Sequence, residues 1–350
     1  MLPDLKSKII QLFKDAKVDS ILILNSPEAD PNFFYFTRME KSEFQQSILI
    51  LEKSSMTMMV PRMEYELAKA QGKKSGVDVI PFRGMEEMKE VIKKKAKGKR
   101  IGLNFSKLTV NGLKMMKGIL KNKKFIDISS NLAIIRRTKT KEEIKRINNA
   151  CRIASKVIKN LSIVKIGMKE RELAAEIDRR MRIYGADGVA FPTIVAAGKN
   201  SANPHYTAGD TIIKKGEFVL VDFGCKFGNY CSDVTRTFVI GTKSNKQKEM
   251  LETCKLMQKE IISMLKPGVK LEDLQKKANS ISEKKYGKML HWFGHSLGIE
   301  VHDPSGKAEK LVEGMVLTIE PAIYLPGFGG VRIEDDVLIT KTGYKILTKN

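Results

Sequence analysis

A chain of 350 residues with 42% hydrophobic and 29% charged residues is too apolar to be disordered and too long for one ordinary core, so two domains are expected. Its formal net charge of +23 raises polyanion binding. Lysine predominates over arginine, however, and the runs Lys93-Lys94-Lys95, Lys97, Lys99-Arg100 and Lys121, Lys123, Lys124 carry no interleaved aromatics, so the charge reads mainly as solvated surface and nucleic acid is not an expected partner.

No run of about 18 apolar residues is present, and the start Met1-Leu2-Pro3-Asp4-Leu5-Lys6 lacks the unbroken apolar stretch of a signal peptide. A cytoplasmic location without membrane contact is the expectation. Cys151, Cys225, Cys231 and Cys254 show no CxxC spacing and read as free thiols. Along the chain, Ser20–Leu24, Gln46–Leu51, Met56–Val60, Val77–Ile80, Ile101–Leu103 and Phe125–Ile128 read as strands. Leu5–Lys17, Met63–Gln71 and Met85–Ala96 read as amphipathic helices. Such alternation predicts an α/β domain over residues 1–128 with a mostly buried sheet. That stretch has no His and no Cys, which argues against a metal or nucleophile site in it.

Ser129-Ser130-Asn131 reads as the boundary to a second domain over 129–350. A long helix follows Lys139-Thr140-Lys141-Glu142-Glu143, with Ile144, Ile147, Cys151 and Ala154 at helical spacing, and another runs from Glu170 to Tyr184, closed by Gly185. Glu217–Gly224 is then a strand apolar on both faces, where an unpaired Asp222 is costly. The loop Cys225–Asn229 is short enough for a hairpin returning through 230–239. Antiparallel pairing can put Asp222 and Asp233 on one face, where like charges call for a cation. Glu320 after Met315–Ile319 and Glu334 after Val331-Arg332-Ile333 also end apolar strands. With His295 these make four carboxylates and one imidazole, suited to Mn, Co, Fe or Zn and sufficient for two ions. Of four histidines, His291, His295 and His302 fall in one short segment and His205 lies in a polar loop. His291 and His295 could be an i,i+4 helical pair, but Gly294 and Gly298 favour a turn or strand approach.

The ordered set Asn-Pro-His (203–205), Val-Asp-Phe-Gly (221–224), Ser-Asp-Val-Thr-Arg-Thr (232–237), Gly-His-Ser-Leu-Gly-Ile-Glu-Val-His-Asp (294–303), Thr-Ile-Glu-Pro-Ala-Ile-Tyr (318–324) and Val-Arg-Ile-Glu-Asp (331–335) resembles the Xaa-Pro peptidases, prolidase and aminopeptidase P, of the methionine aminopeptidase and creatinase group. It covers the chain from about residue 140 onward, the first domain being similar to the creatinase-type domain in layout only. The resemblance implies an α/β creatinase-N-like domain followed by an α+β pita-bread domain. It also implies a homodimer and two divalent metal ions, Mn or Co ahead of Zn or Fe. Non-enzymatic relatives lose the metal carboxylates, whereas all five positions here are acidic or His.

By the same resemblance Asp222 chelates one metal, Asp233 and Glu334 bridge both, and His295 with Glu320 complete the other. A metal-bridging water is the implied nucleophile on the carbonyl before proline, with Glu320 also moving its proton. His302 and His205 match the groups that stabilise the oxyanion and position substrate, and His291 matches the contact to the proline side. Arg332 shares a strand face with Glu334 and is either support for the ligands or a clamp for the substrate carboxylate, with Tyr324 a candidate of the same kind. Its structural alternative is an ion pair with Asp335 or Asp336. The expected activity is hydrolysis of the Xaa-Pro bond of di- or oligopeptides, prolidase ahead of aminopeptidase P. The alternatives are a methionine aminopeptidase with an added domain and a non-enzymatic binding protein on the same scaffold.

Overall fold

The structure, a computed structural model, describes residues 3–348 apart from 27 and 41. It divides into two compact units, Met1–Arg136 and Arg137–Asn350.

The first unit is built on six strands, β1 (Ser20–Asn25), β2 (Ser47–Leu51), β3 (Met56–Pro61), β4 (Asp78–Phe82), β5 (Arg100–Leu103) and β6 (Lys124–Asp127), in the order β4-β3-β2-β1-β5-β6. β1, β2 and β3 pair antiparallel, while β3–β4, β1–β5 and β5–β6 are parallel. β1 and β2 are buried along almost their whole length, as a sheet covered on both faces requires. On one face, α4 (Met85–Lys95) and α5 (Val110–Ile119) lay Met88, Ile92, Met116 and Ile119 over Leu22, Ile48, Ile50 and Ile101. The unit also contains α1 (Pro3–Ala16), α2 (Pro31–Thr37), α3 (Tyr65–Ser75) and α6 (Ser129–Arg137). α2 starts on an Asp30 cap with Pro31 in its first turn and stops where Arg38 turns left-handed at φ 56°. Helix α6 begins at the segment read as a linker, and the chain divides after Arg136 rather than after 128. The reason is local: Lys8 Nζ donates to the Ile135 carbonyl at 2.8 Å, and Arg136 donates to Asn32 Oδ1 at 3.1 Å.

In the second unit α7 (Lys141–Lys159) opens with a reciprocal cap between Thr140 and Glu143, and α8 (Glu170–Ile183) comes next. Their apolar faces cover Val195, Val219, Val221, Phe223 and Val234. Those residues belong to β8 (Ile194–Ala197), β9 (Phe218–Phe223) and β12 (Val234–Val239), an antiparallel sheet ordered β12-β9-β8. Between β9 and β12 the expected loop is partly strand. Here β10 (Cys225–Phe227) pairs with β11 (Tyr230–Cys231) and with β7 (Gly188–Val189). The true turn is Gly228-Asn229, both at positive φ. The remaining helices, α9 (Asn245–Ser263) and α10 (Leu271–Ser282), pack on β13 (Val316–Ile319) and β16 (Asp335–Ile339). β13, β16 and β17 (Tyr344–Ile346) form one sheet, and β14 (Ala322–Leu325) with β15 (Gly329–Arg332) form a two-stranded one. Helices thus cover one side of these strands and leave a polar inner side.

Candidate metal centre

Val219, Val221 and Phe223 on β9 turn into the helix-covered core, so alternation directs Asp222 to the opposite face. The β9–β12 register sets Asp222 across from Thr235. Asp233, two residues before Thr235, shares its face. Close approach here depends on Gly224, because a Cβ at that position would lie 1.9 Å from the Ser232 carbonyl oxygen. Glu334 arrives from β15: its N–H donates to the Thr235 carbonyl at 3.1 Å, and its carboxylate accepts from the Thr235 hydroxyl at 2.6 Å. His295 lies on an extended segment beside β13, where Thr318 donates its N–H to the His295 carbonyl at 2.8 Å and Thr318 Oγ1 accepts the His295 N–H at 2.9 Å. A Cβ on Gly294 would sit 1.9 Å from the Thr318 carbonyl oxygen. The histidine therefore comes in as a strand neighbour, the alternative that the glycines favoured, and not as part of a helical pair.

Ligand-capable atoms of Asp233, His295 and Glu334 all lie within 4.8 Å of one another. His295 Nε2 is 3.5 Å from both Asp233 Oδ2 and Glu320 Oε1. Asp222, Asp233, His295, Glu320 and Glu334 line one cavity of about 550 Å³ together with His205, His291, His302, Arg332, Phe191, Ile194 and Trp292. Tyr324 is outside that lining, but its hydroxyl is 3.1 Å from His291 Nε2. The His295 and His302 rings stack with centroids 3.9 Å apart.

Burial, reinforced by neighbouring carboxylates, holds the acids of Asp233 and Glu334 well above the ordinary range, and burial with Asp222 nearby pushes Glu320 up to about 7. Burial and the adjacent His302 lower His295 to about 4, leaving a neutral imidazole with a lone pair at physiological pH. Asp222 Oδ1 and Asp233 Oδ1 are buried without any hydrogen-bond partner among the described residues. A buried polar oxygen left without a partner costs about 1–3 kcal/mol. Crowded acids, a neutral imidazole and two orphaned oxygens fit divalent cations bound by hard donors. Asp233, His295, Glu334, Glu320 and Asp222 are the residues available to hold them.

Arg332, only 3% exposed, is held through all three of its guanidinium nitrogens. Its Nη2 meets Asp222 Oδ2 at 2.5 Å, Nε donates to Thr235 Oγ1 at 3.1 Å, and Nη1 donates to the Tyr324 hydroxyl. The alternative ion pair with Asp335 or Asp336 does not form: Asp335 instead pairs with Arg236 at 2.8 Å, because β16 places it on the Arg236 side. Reading the sequence alone missed Thr235, which links Arg332 to Glu334, although its place two residues after Asp233 was a signal of a shared face. It also missed Asp336, whose Oδ2 accepts the Asp233 N–H at 3.0 Å and the Cys151 thiol at 3.2 Å, and the cavity-lining Phe191, Ile194 and Trp292.

Residues 145–341 match Metallopeptidase family M24, and residues 6–138 match the Creatinase/Prolidase N-terminal domain. The chain is 38% identical to the Xaa-Pro dipeptidase of Pyrococcus horikoshii over 350 residues, covering 98% of this chain and 96% of that protein. Its structure is similar to the crystal structure of the prolidase from the same organism, with a TM-score of 0.88 at 37% identity over 99% of this chain and 98% of that one. The X-Pro aminopeptidase of Thermotoga maritima is similar at a TM-score of 0.87 and 31% identity, covering 97% of this chain and 98% of that one.

Proposed function

We infer, from a chain that belongs to metallopeptidase family M24 and carries its N-terminal Creatinase/Prolidase domain together with an M24 pita-bread domain, that this protein is a metal-dependent Xaa-Pro dipeptidase. The observation that carries the reading is the convergence of five metal-binding side chains on one cavity, two of their buried carboxylate oxygens lacking any other partner among the described residues. Full-length relationship at 38% identity to a protein named Xaa-Pro dipeptidase supports the dipeptide substrate over longer peptides.

Divalent cations bound by Asp222, Asp233, His295, Glu320 and Glu334 would supply Lewis acidity and lower the pKa of an attacking water. Mn or Co suits the mixed oxygen and imidazole set, with Zn or Fe also compatible. Glu320, which lines the same cavity, would hold a proton at its carboxylate and pass it to the leaving proline nitrogen. His302 and His205 donate toward the developing oxyanion and orient the peptide. His291 contacts the proline side, its ring oriented by Tyr324 at 3.1 Å and by the Trp292 carbonyl at 2.7 Å. Arg332 acts on the ligands, its three nitrogens donating to Asp222, Thr235 and Tyr324.

We extend the reading to a homodimer in the cytoplasm. No helix among the described residues is long and apolar enough to cross a membrane, and the four buried free cysteines suit a reducing compartment. The deciding assay supplies Mn or Co and compares Leu-Pro with Leu-Pro-Xaa-Xaa. Release of leucine from the dipeptide alone is expected. Equal rates on the longer peptide would make the protein an aminopeptidase P, and cleavage of Met-Ala without Leu-Pro would make it a methionine aminopeptidase.

A further inference from the structure

Residues 91–126 contain twelve basic residues and no acidic one. The fold decides where they go. β5 and β6 are parallel, and the helices α4 and α5 that precede them run back along the sheet. The ends of both helices therefore arrive at the same edge as the starts of both strands. There Lys93, Lys94 and Lys95 end α4, Lys117 lies in the last turn of α5, and Lys97, Lys99, Arg100, Lys121, Lys123 and Lys124 occupy the adjoining loops and strand starts. The loops are in contact: Lys124 donates its N–H to the Lys99 carbonyl at 2.8 Å, and Lys123 Nζ donates to the Gly98 carbonyl. Between the two helices Lys89, Lys93, Lys121 and Lys123, with Glu86 as the one acid, border a cleft of about 770 Å³ floored by Met115 and Ile119.

Ten cations thus share one end of the first unit. Among the described residues four carboxylates answer them: Glu90 pairs with Lys93 at 2.7 Å, Glu86, paired with Lys89 at 2.5 Å in the same cleft, also acts on Lys93, Glu52 reaches Lys97 at 3.9 Å, and Asp19 accepts the backbone N–H groups of Lys99 and Arg100. Lys94, Lys95, Lys99, Lys117, Lys121 and Lys124 have no ion pair among the described residues. Two helix C-termini account for about one unit of negative charge between them, well short of the excess. The residues at 93–100 and 117–124 include no Phe, Tyr or Trp, so the surface has charge for phosphates and no platform on which unpaired bases could stack.

We propose that this basic end of the first unit binds the phosphate backbone of duplex nucleic acid without sequence preference, a function separate from peptide hydrolysis. Taken one run at a time the lysines read as solvated surface, and what changes the reading is their assembly on a single edge. The test uses the full-length protein and two fluorescein-labelled 20-base-pair DNA duplexes of unrelated sequence, followed by anisotropy as salt is raised. Both duplexes bind alike, and for about six phosphate contacts the affinity falls roughly a thousandfold between 50 and 200 mM salt. Combined Lys94, Lys95, Lys121 and Lys124→Glu loses more than a hundredfold in affinity at 50 mM salt, and the same four→Arg retains it. Lys14, Lys73, Lys248 and Lys284→Glu, an equal change of net charge spread elsewhere, leaves most of the binding intact. Leu-Pro hydrolysis is the same in all variants. Equal losses from both Glu sets, a preference for single strands, or binding to phosphatidylserine vesicles without duplex binding would each overturn the proposal.

Discussion

Asp233 sits where three carboxylates and an imidazole meet, so removing its charge tests the centre most directly. Asp233→Asn is expected to cut Leu-Pro turnover by at least a thousandfold and to lower bound Mn measured by elemental analysis; full metal occupancy with normal turnover would rule out its role. The centre also fixes how stability varies with pH. Glu320 lies at about 7 against an ordinary 4.5, and Asp233 and Glu334 are raised as well, burial being the main cause in each. Between those values the folded, chelator-stripped protein keeps protons that the unfolded chain has released. The contribution of these acids to its stability therefore falls as pH rises from about 4.5 to 7, while His295, lowered from 6.5 to about 4, contributes in the opposite sense between those two values. Bound cations take the place of those protons, so the gap in melting temperature between Mn-loaded and stripped protein should widen from pH 5 to pH 7. A constant gap would contradict the raised acids. Arg332→Met strands Asp222 beside the other carboxylates and should cost about 3–5 kcal/mol in the stripped protein, measured by urea unfolding. The ligand candidates were legible as residues because acids ending apolar strands need a reason. The partner of Arg332 was not, since pairing across β9, β12 and β15 is set by register rather than by proximity in sequence.

Elements with a regular apolar period were readable, and those without one were not. α1 and α4 announce themselves by spacing. α2 is Pro-Asn-Phe-Phe-Tyr-Phe-Thr, buried nearly all round and lacking a polar face, and α5 carries Gly112 and Gly118 inside it, so neither shows the expected pattern. α6 hides behind Ser129-Ser130-Asn131, a composition that starts helices as readily as it forms linkers. The reciprocal cap of α7 is a local device with a local cost: Thr140→Ala should lose about 1 kcal/mol of stability with no change in substrate affinity. Gly294 has the opposite character. Gly294→Ala touches no ligand, yet its Cβ would collide with the Thr318 carbonyl and push the His295 segment off β13. Metal uptake should fall at least tenfold while the far-UV circular dichroism stays nearly unchanged, and normal uptake would show that the segment tolerates the shift.

For the molecule as a whole, alternation of short strands and helices was enough to mark off an α/β unit at the start of the chain, and the absence of His and Cys from residues 1–128 argued against a metal or nucleophile site in it. The curvature and pairing that gather Asp222, Glu320 and Glu334 from separate sheets could be reached only through resemblance, because no local pattern specifies which strands meet. Each unit has its own buried cluster. Residues 1–136 produced alone should therefore fold, with a cooperative thermal transition and no hydrolysis of Leu-Pro; a chain that stays unfolded in isolation would show that its core is insufficient. Trp292, the single tryptophan of the sequence, stands 55% exposed in the lining of the catalytic cavity. All indole emission of the unlabelled protein consequently originates at the place where a peptide would arrive. Its wavelength and intensity offer a label-free optical gauge of occupancy, and a paramagnetic quencher such as Co²⁺ entering the centre would announce itself in the same signal.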